Sequence, residues 1–193
     1  MSKIVKVIRI LTVAPVMAFV MLLTLYLHNP LLFGSRADFV LSILFLVVFP
    51  LLAYPLQPLI KKYKDKGREG QRILAIDFAV SGYICGCLFA MLLHAPKNVW
   101  TIYLSYLLSG ILIMLTNKLF HFRTSGHTCG VAGPFALLIY FGHPFGFYGI
   151  PVLVLVFLSS LQMKRHTVLQ LICGAAIPIA ALGIVIMISS LIN

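Results

Sequence analysis

Acidic residues are scarce in this chain. Only four of 193 residues are Asp or Glu, and charged residues of both signs together make up 10%. Soluble domains carry about a quarter charged residues, so the composition excludes water as the solvent for most of the surface. The few carboxylates form no Asp-rich motif, which argues against a Mg²⁺-dependent membrane prenyltransferase. We therefore expect no metal and no other cofactor.

Cysteines with metal-binding spacing are also lacking. The four cysteines lie in or beside apolar segments, where they are typical of small packing residues (Cys85, Cys87, Cys129 and Cys173). The net charge of +11 could suggest a nucleic-acid partner. However, the basic residues fall between apolar segments, so orientation signals and anionic lipid headgroups explain them better. We expect a lipid bilayer as the partner and no nucleic acid.

Apolar residues dominate, at 61% of the chain, with a mean hydropathy of +1.06. A membrane span needs about 20 apolar residues, and seven apolar segments can be marked, at about residues 10–27, 39–60, 73–94, 99–115, 128–141, 147–163 and 167–192. The fifth and sixth are short and are joined by a Gly- and Pro-rich turn at 142–146, which predicts a hairpin. The sequence predicts an all-α, polytopic transmembrane bundle of six to seven spans, with residues 1–193 forming one integral membrane domain.

The basic residues alternate sharply between the two sides of such a bundle. Thirteen of the fifteen fall on one side (Lys3, Lys6, Arg9, Lys61, Lys62, Lys64, Lys66, Arg68, Arg72, Lys118, Arg123, Lys164 and Arg165). Arg36 and Lys97 fall on the other. Cytoplasmic loops are enriched in Lys and Arg, so we expect a multi-pass protein of the cell's inner or plasma membrane. Its N-terminus and its three basic loops face the cytoplasm.

The second basic loop offers a site for an anion. It reads from Lys118 to His127, with Arg123 followed by Thr-Ser125-Gly126-His127. Ser-Gly-His at the start of a helix supplies an imidazole, a hydroxyl and free backbone N–H groups at the positive end of the helix dipole. The alternative is structural: Ser125 caps the helix and the nearby glycines allow close packing.

The third basic loop carries the other histidine. Lys164 and Arg165 precede His166, and Gln170 lies four residues further on. His166 and Gln170 share a helix face, so Gln170 could fix one imidazole tautomer and leave the other nitrogen free, as a nucleophile or general base requires. The alternative is a cationic cluster that anchors the helix to headgroups.

These residues resemble a known family. Arg-Thr-Ser-Gly-His (123–127), followed by Lys-Arg-His-Thr-x-x-Gln (164–170), resembles the second and third motifs of the type 2 phosphatidic acid phosphatase superfamily, and His-Thr-x-x-Gln resembles its polyprenyl diphosphate phosphatase members. The resemblance covers residues 60–175, approximately. It implies a metal-independent membrane phosphatase or phosphotransferase acting on a lipid or polyprenyl phosphate or diphosphate. His166 would be the nucleophile, His127 the general acid, and basic residues the phosphate clamp (Arg72, Lys118, Arg123, Lys164 and Arg165, with Ser125 and Gly126).

The chain departs from the family pattern at several positions. Thr124 replaces Pro before Ser-Gly-His, and Ser160 stands where the third motif has Arg. The first motif of the family is Lys-x6-Arg-Pro. At the corresponding positions this chain has Asp65 in place of Lys, and Arg72 is followed by Ile73 rather than Pro. These changes leave open an alternative function, a non-catalytic membrane protein or carrier that binds lipid phosphate. A small transporter is disfavoured because few polar residues lie within the apolar segments.

Asp77 stands alone inside an apolar segment. A carboxylate in that position is costly and usually marks a site or a buried partner. Five residues separate it from Arg72, so we expect either an ion pair with that arginine or direct participation in the site.

Overall fold

The computed structural model describes residues 3–191, and within that range the chain forms helices and connecting turns without any strand. The α-helices there are α1 (Lys3–Leu11), α2 (Ala14–His28), α3 (Arg36–Ile43), α4 (Phe49–Leu56), α5 (Lys61–Lys64), α6 (Gly67–Leu92), α7 (Lys97–Leu119), α8 (Gly126–Tyr140), α9 (Gly149–Gln162) and α10 (Val168–Leu191). The predicted all-α fold is confirmed for this part of the chain.

Within residues 3–191, five helical segments are long and apolar enough to cross a membrane: Arg36–Leu59, Gly67–Leu92, Lys97–Leu119, Pro144–Gln162 and Val168–Leu191. The first joins α3 and α4 through a π-helical turn, Leu44–Val48. Such turns accommodate an extra residue in a helix, and this one precedes Pro50, which cannot donate a backbone hydrogen bond. Two apolar helices, α2 and α8, are shorter, at 15 residues each. The number of spans stays a prediction.

The first predicted span differs from the helices observed. Residues 10–27 were expected to form one helix, but α1 ends at Leu11 and α2 starts at Ala14. Val13 is extended between them, with φ −62° and ψ 144°. Pro15 has no N–H to donate to Leu11, so helix α1 cannot continue through it, whereas proline is well accommodated in a first turn.

The first basic loop is also more ordered than expected. Residues 61–72 were expected to connect two spans without helical structure, but α5 covers Lys61–Lys64 and α6 already begins at Gly67. Arg68 and Arg72 therefore lie one helical turn apart on α6, which fixes their side chains in relation to the bundle.

Helix α8 lies at the centre of the bundle, in contact with α2, α7, α9 and α10. Its Val131, Leu137 and Leu138 are buried, and the predicted hairpin is confirmed by the contacts between α8 and α9. Large apolar side chains cover the outside, including Ile179 and Met187. This is the surface expected of helices in lipid, and it is compatible with a membrane protein.

Helices α6 and α7 define the two ends of the molecule. Arg72 on α6 donates a hydrogen bond from Nη2 to Asn117 Oδ1 on α7, over 3.0 Å. Lys97 begins α7, 20 residues before Asn117, which at 1.5 Å per residue places it about 30 Å away. The predicted separation of Lys97 from the basic loops is therefore present, whereas the side of the membrane stays a prediction.

Candidate anion site

One cavity of about 840 Å³ brings the two motif histidines together at the basic end of the bundle. Charged side chains from α1, α6 and the second and third basic loops line it together with the histidines: Arg9, Arg68, Glu69, Arg72, Arg123, His127, Lys164, Arg165 and His166. The predicted convergence of the three basic loops is therefore present. Such a concentration of positive charge in a concave, partly desolvated space attracts anions.

His166 lies in the turn between α9 and α10 and is held through its Nδ1 atom. That atom is 3.1 Å from Gln170 Oε1 and 3.2 Å from the backbone oxygen of Arg123. Both neighbours are acceptors, and Thr167 N donates to the same Gln170 oxygen over 3.2 Å. Nδ1 must therefore carry the hydrogen, which leaves the Nε2 lone pair available. The predicted contact between His166 and Gln170 is present.

The charge state of His166 suits a nucleophile. Burial lowers its pKa below the ordinary value of 6.5, and the positive charges of Arg72 and Arg9 lower it further. The hydrogen bonds to Gln170 and to the Arg123 carbonyl act in the opposite direction and raise the pKa. Because the net shift is downward, His166 is neutral at pH 7.

His127 occupies the first turn of α8 and contacts the break between α1 and α2. Its Nε2 lies 3.0 Å from Thr12 Oγ1. The Thr12 hydroxyl already donates to the Ile8 carbonyl over 2.7 Å, so His127 Nε2 must be the donor and Nδ1 the unprotonated nitrogen. Burial, reinforced by the charges of Arg9 and Arg165 and by His166, lowers the His127 pKa to about 3.

Ser125 performs the structural role that was the alternative for it. Its side chain is fully buried and accepts hydrogen bonds from Thr128 N over 3.3 Å and Thr128 Oγ1 over 2.8 Å. This is an N-cap of α8. Its hydroxyl is turned into the bundle and the residue is absent from the cavity lining, whereas Gly126 is part of that lining.

The second and third motifs are joined directly by their backbones. Ser125 N donates to the Gln170 carbonyl over 3.2 Å. A Cβ atom on Gly174 would lie 2.5 Å from the Ser125 carbonyl oxygen. Only glycine permits this approach of α10 to the start of α8. The relative position of His127 and His166 therefore depends on Gly174.

Among the described residues, Glu69 is the carboxylate that lines the cavity. Glu69 pairs with Arg123 over 2.9 Å and with Arg72 over 3.9 Å. Arg72 and Arg123, two of the predicted clamp residues, line the cavity with part of their charge already compensated. Lys164 and Arg165 also line the cavity. Lys164 has φ of 50°, a left-handed conformation that turns the chain sharply after α9.

Lys118 and Asp77 lie outside this cavity. They line a neighbouring cavity of about 470 Å³, which shares Glu69, Arg72 and Arg123 with the first. The expected ion pair between Asp77 and Arg72 is wrong for the described residues. The Tyr63 hydroxyl donates a hydrogen bond to Asp77 Oδ2 over 2.9 Å. Arg72 instead pairs with Glu69, one helical turn away.

Two cavity cations were missed by the sequence reasoning. Arg9 and Arg68 line the cavity beside the histidines, but they had been assigned to orientation signals. Conversely, Ser160 is buried, absent from the lining, and its Oγ has no hydrogen-bond partner. The clue available in the sequence was the position of Arg9, six residues before a proline that ends the first helix.

The cavity also has an apolar part. It continues between α7, α8 and α10, where Tyr106, Leu137 and Leu182 line it. Tyr106 precedes Asn117 by 11 residues on α7, so this part reaches about 16 Å beyond the level of Asn117. A cationic mouth above an apolar interior fits an amphiphile with an anionic head and an apolar chain.

Metal ligands do not cluster in the described part of the chain, where no group of three or more His, Cys, Asp or Glu side chains could hold a metal ion. In comparisons with known proteins, no family model, curated protein or solved structure matches the chain. The resemblance to the type 2 phosphatidic acid phosphatases therefore rests on the motif residues and their arrangement alone.

Proposed function

We propose that the chain is a metal-independent membrane phosphatase or phosphotransferase acting on a lipid or polyprenyl phosphate or diphosphate. One observation carries the proposal: His127 and His166 line the same cation-rich cavity, and Gln170 holds the His166 Nδ1 hydrogen so that Nε2 is free. Phosphoryl transfer mainly requires positioning and positive charge around the phosphate oxygens. Both are available at this site.

The reaction would proceed in two steps. The His166 Nε2 lone pair forms a bond to phosphorus while the bond from phosphorus to the leaving oxygen breaks, and the imidazolium form of His127 gives that oxygen a proton and becomes neutral. A water molecule then attacks phosphorus, its proton goes to His127, and the electron pair of the N–P bond returns to Nε2. Inorganic phosphate leaves, and both histidines regain their starting states.

Proton donation by His127 depends on the substrate. With its pKa at about 3, His127 is neutral at pH 7 in the empty cavity. A phosphate bound beside it brings negative charge, which favours the imidazolium and raises this pKa. Substrate binding would thereby protonate His127, which then acts as the general acid.

The apolar extension of the cavity and the five long apolar helices support a lipid as the substrate. The excess of basic residues at the site-bearing end favours a cytoplasmic orientation. We therefore place the reaction at the cytoplasmic face of the cell's inner or plasma membrane.

A second candidate function is binding of lipid phosphate without turnover. The neutral state of His127 favours it, because a site without a proton donor can bind an anion and leave the P–O bond intact. The loss of the motif cation at Ser160 acts in the same direction.

A phosphate-release assay separates the two functions. We expect detergent-solubilised protein to release phosphate from a panel of lipid phosphates and diphosphates in the presence of EDTA. His166→Ala and His127→Ala should each lower the rate at least a hundredfold, since acid–base catalysis alone contributes roughly 10²–10⁴-fold. His94→Asn is the matched control, because His94 lies at the far end of α6 with φ of 51°, which Asn tolerates.

Acid-labile, base-stable labelling of the wild-type protein by a ³²P-labelled substrate would identify the phosphohistidine. Activity that survives both histidine substitutions would refute the enzymatic proposal. Saturable binding without release from any member of the panel would establish the second candidate instead.

A further inference from the structure

We propose that Arg9, on α1, is a ligand of the phosphate group and supplies the guanidinium that Ser160 does not. Helix α1 would then be part of the anion site and not only a membrane-surface helix. This inference rests on the proposed function, because it assigns a residue to the same site.

The position of Arg9 carries the inference. Its side chain is partly buried and lines the cavity together with His127 and His166. The Nη1 atom is inaccessible to solvent and has no hydrogen-bond partner. Buried polar atoms in proteins are nearly always paired, and the exceptions need an explanation. A guanidinium nitrogen without a partner, in a cavity with two histidines, is explained by a ligand that carries acceptor oxygens.

The charges around Arg9 point to an anion. Burial lowers the pKa of Arg9 to about 10, and the positive charges of Arg165 and Arg68 contribute to this shift. Among the described residues, the ion pairs in this cavity join Glu69 to Arg72 and Arg123, and Arg9 takes part in neither. Like charges held together in a partly buried space repel one another. A phosphate group between them would reverse that repulsion.

Helix packing explains how Arg9 can replace the missing cation. Helix α1 contacts α9, and α9 carries Ser160. The family motif has its arginine at the position of Ser160, on α9. Arg9 reaches the cavity from α1, the helix that packs against α9. The hydrogen bond between Thr12 and His127 holds the end of α1 against α8.

A surface anchor would behave differently. Arginines that anchor a helix to headgroups extend their guanidinium towards the membrane surface. The apolar side chains of Val7 and Ile10 on the same helix are exposed, as expected of an interfacial helix, but Arg9 is turned inward to the histidines. Arg9 therefore faces the cavity, whereas Val7 faces outward.

The experiment uses the full chain in phosphatidylcholine nanodiscs and compares Arg9→Gln, Arg9→Lys and the control Arg36→Gln. Arg36 is exposed and lines neither cavity. Affinity is measured for inorganic phosphate and, separately, for phosphatidic acid doped into the nanodisc, so that free phosphate and a lipid headgroup are distinguished. We expect Arg9→Gln to weaken binding of both probes at least tenfold, Arg9→Lys to lie between, and Arg36→Gln to stay within twofold.

Two further measurements distinguish a direct contact between Arg9 and phosphate from a purely structural role of Arg9. Free guanidinium ion at low concentration should restore phosphate binding to Arg9→Ala, while sodium chloride at equal ionic strength should not. In the wild-type protein, the side-chain ¹⁵Nε resonance of Arg9 should shift on titration with inorganic phosphate. The resonance is followed in the wild-type protein, so this readout does not depend on the folding of a variant. Arg9→Lys serves only to assign the resonance.

The outcomes separate this inference from the proposed function. Binding that depends on Arg9, without phosphate release from any member of the lipid panel, supports the role of Arg9 and refutes the enzyme. Hydrolysis with kcat/KM of folded Arg9→Gln within twofold of wild type, or an Arg9 resonance that does not respond to phosphate, overturns the role of Arg9 alone. A wild-type protein that binds neither probe and releases phosphate from no member of the lipid panel overturns both.

Discussion

At the scale of single residues, the partner of His166 sets the chemistry. Gln170 is neutral, so it fixes the tautomer of the imidazole without adding negative charge beside it. A carboxylate at the same position would favour the imidazolium and keep the proposed nucleophile protonated to higher pH. Glutamine thus leaves His166 unprotonated over more of the physiological range.

This reasoning predicts opposite pH shifts for two substitutions of Gln170. The nucleophile must be unprotonated, so kcat/KM should fall as pH decreases through the His166 pKa, which lies below 6.5. Gln170→Glu should move this acidic limb upward by about one pH unit, since a nearby opposite charge shifts a pKa by roughly 1–3 units. Gln170→Leu removes a hydrogen bond that raises the pKa, so its limb should move downward.

The rate of Gln170→Leu should also fall at every pH, because the tautomer is no longer fixed. Steady-state kcat/KM from pH 4.5 to 8.5 measures both effects. Identical acidic limbs for the three proteins would show that His166 is not the group that titrates.

At the scale of helices, close approach at glycine determines the geometry of the site. Gly174→Ala should lower kcat/KM at least tenfold, because its Cβ would meet the Ser125 carbonyl oxygen and push α10 away from the start of α8. A displacement of about 1 Å can cost roughly a hundredfold in rate. Gly183→Ala on the same helix is the matched control, since no atom lies within 4 Å of its Cβ position.

Thermal midpoints and phosphate-release rates should be measured for both glycine variants. We expect Gly183→Ala to match wild type in both. Full activity of Gly174→Ala would mean that the contact between the two motifs does not position the histidines.

The helices show which features sequence patterns can predict. Long apolar segments predicted the membrane-length helices and α8 from 36 onward to within a few residues, except where charged residues continue α6 beyond its apolar part. The short helix α5 was not predicted, because its residues are polar. Periodicity could not reveal the break at Thr12, because it depends on the missing N–H of Pro15. The same break places Thr12 against His127, and no local signal in the sequence identifies that contact.

At the scale of the whole molecule, the cation-rich cavity arises from segments far apart in sequence. The placement of His127, His166 and Gln170 at one site could be predicted because their spacing resembles that of the family motifs. The position of Arg9 in the cavity could not be predicted, because it depends on the packing of α1 against α9. Lys118 is one of the predicted clamp residues, but it lines the neighbouring cavity.

The two ends of the molecule should face different compartments. Single cysteines introduced at Lys64 and Lys97, in a chain whose four cysteines have been replaced, should react differently with a membrane-impermeant maleimide. We expect Lys97→Cys to be labelled in intact cells and Lys64→Cys only after permeabilisation, because basic loops are retained in the cytoplasm. The reverse pattern would place the histidines on the external face, and equal labelling would contradict a single orientation.

The link between Thr12 and His127 has a practical consequence for work on the purified protein. The imidazole that would donate the proton is tied to the joint between the first two helices, so a force on α1 is transmitted to His127. An affinity tag or fusion partner ahead of α1 could therefore depress activity without unfolding the bundle. Attachment after α10, whose end is remote from both histidines, avoids this source of misleading inactivity.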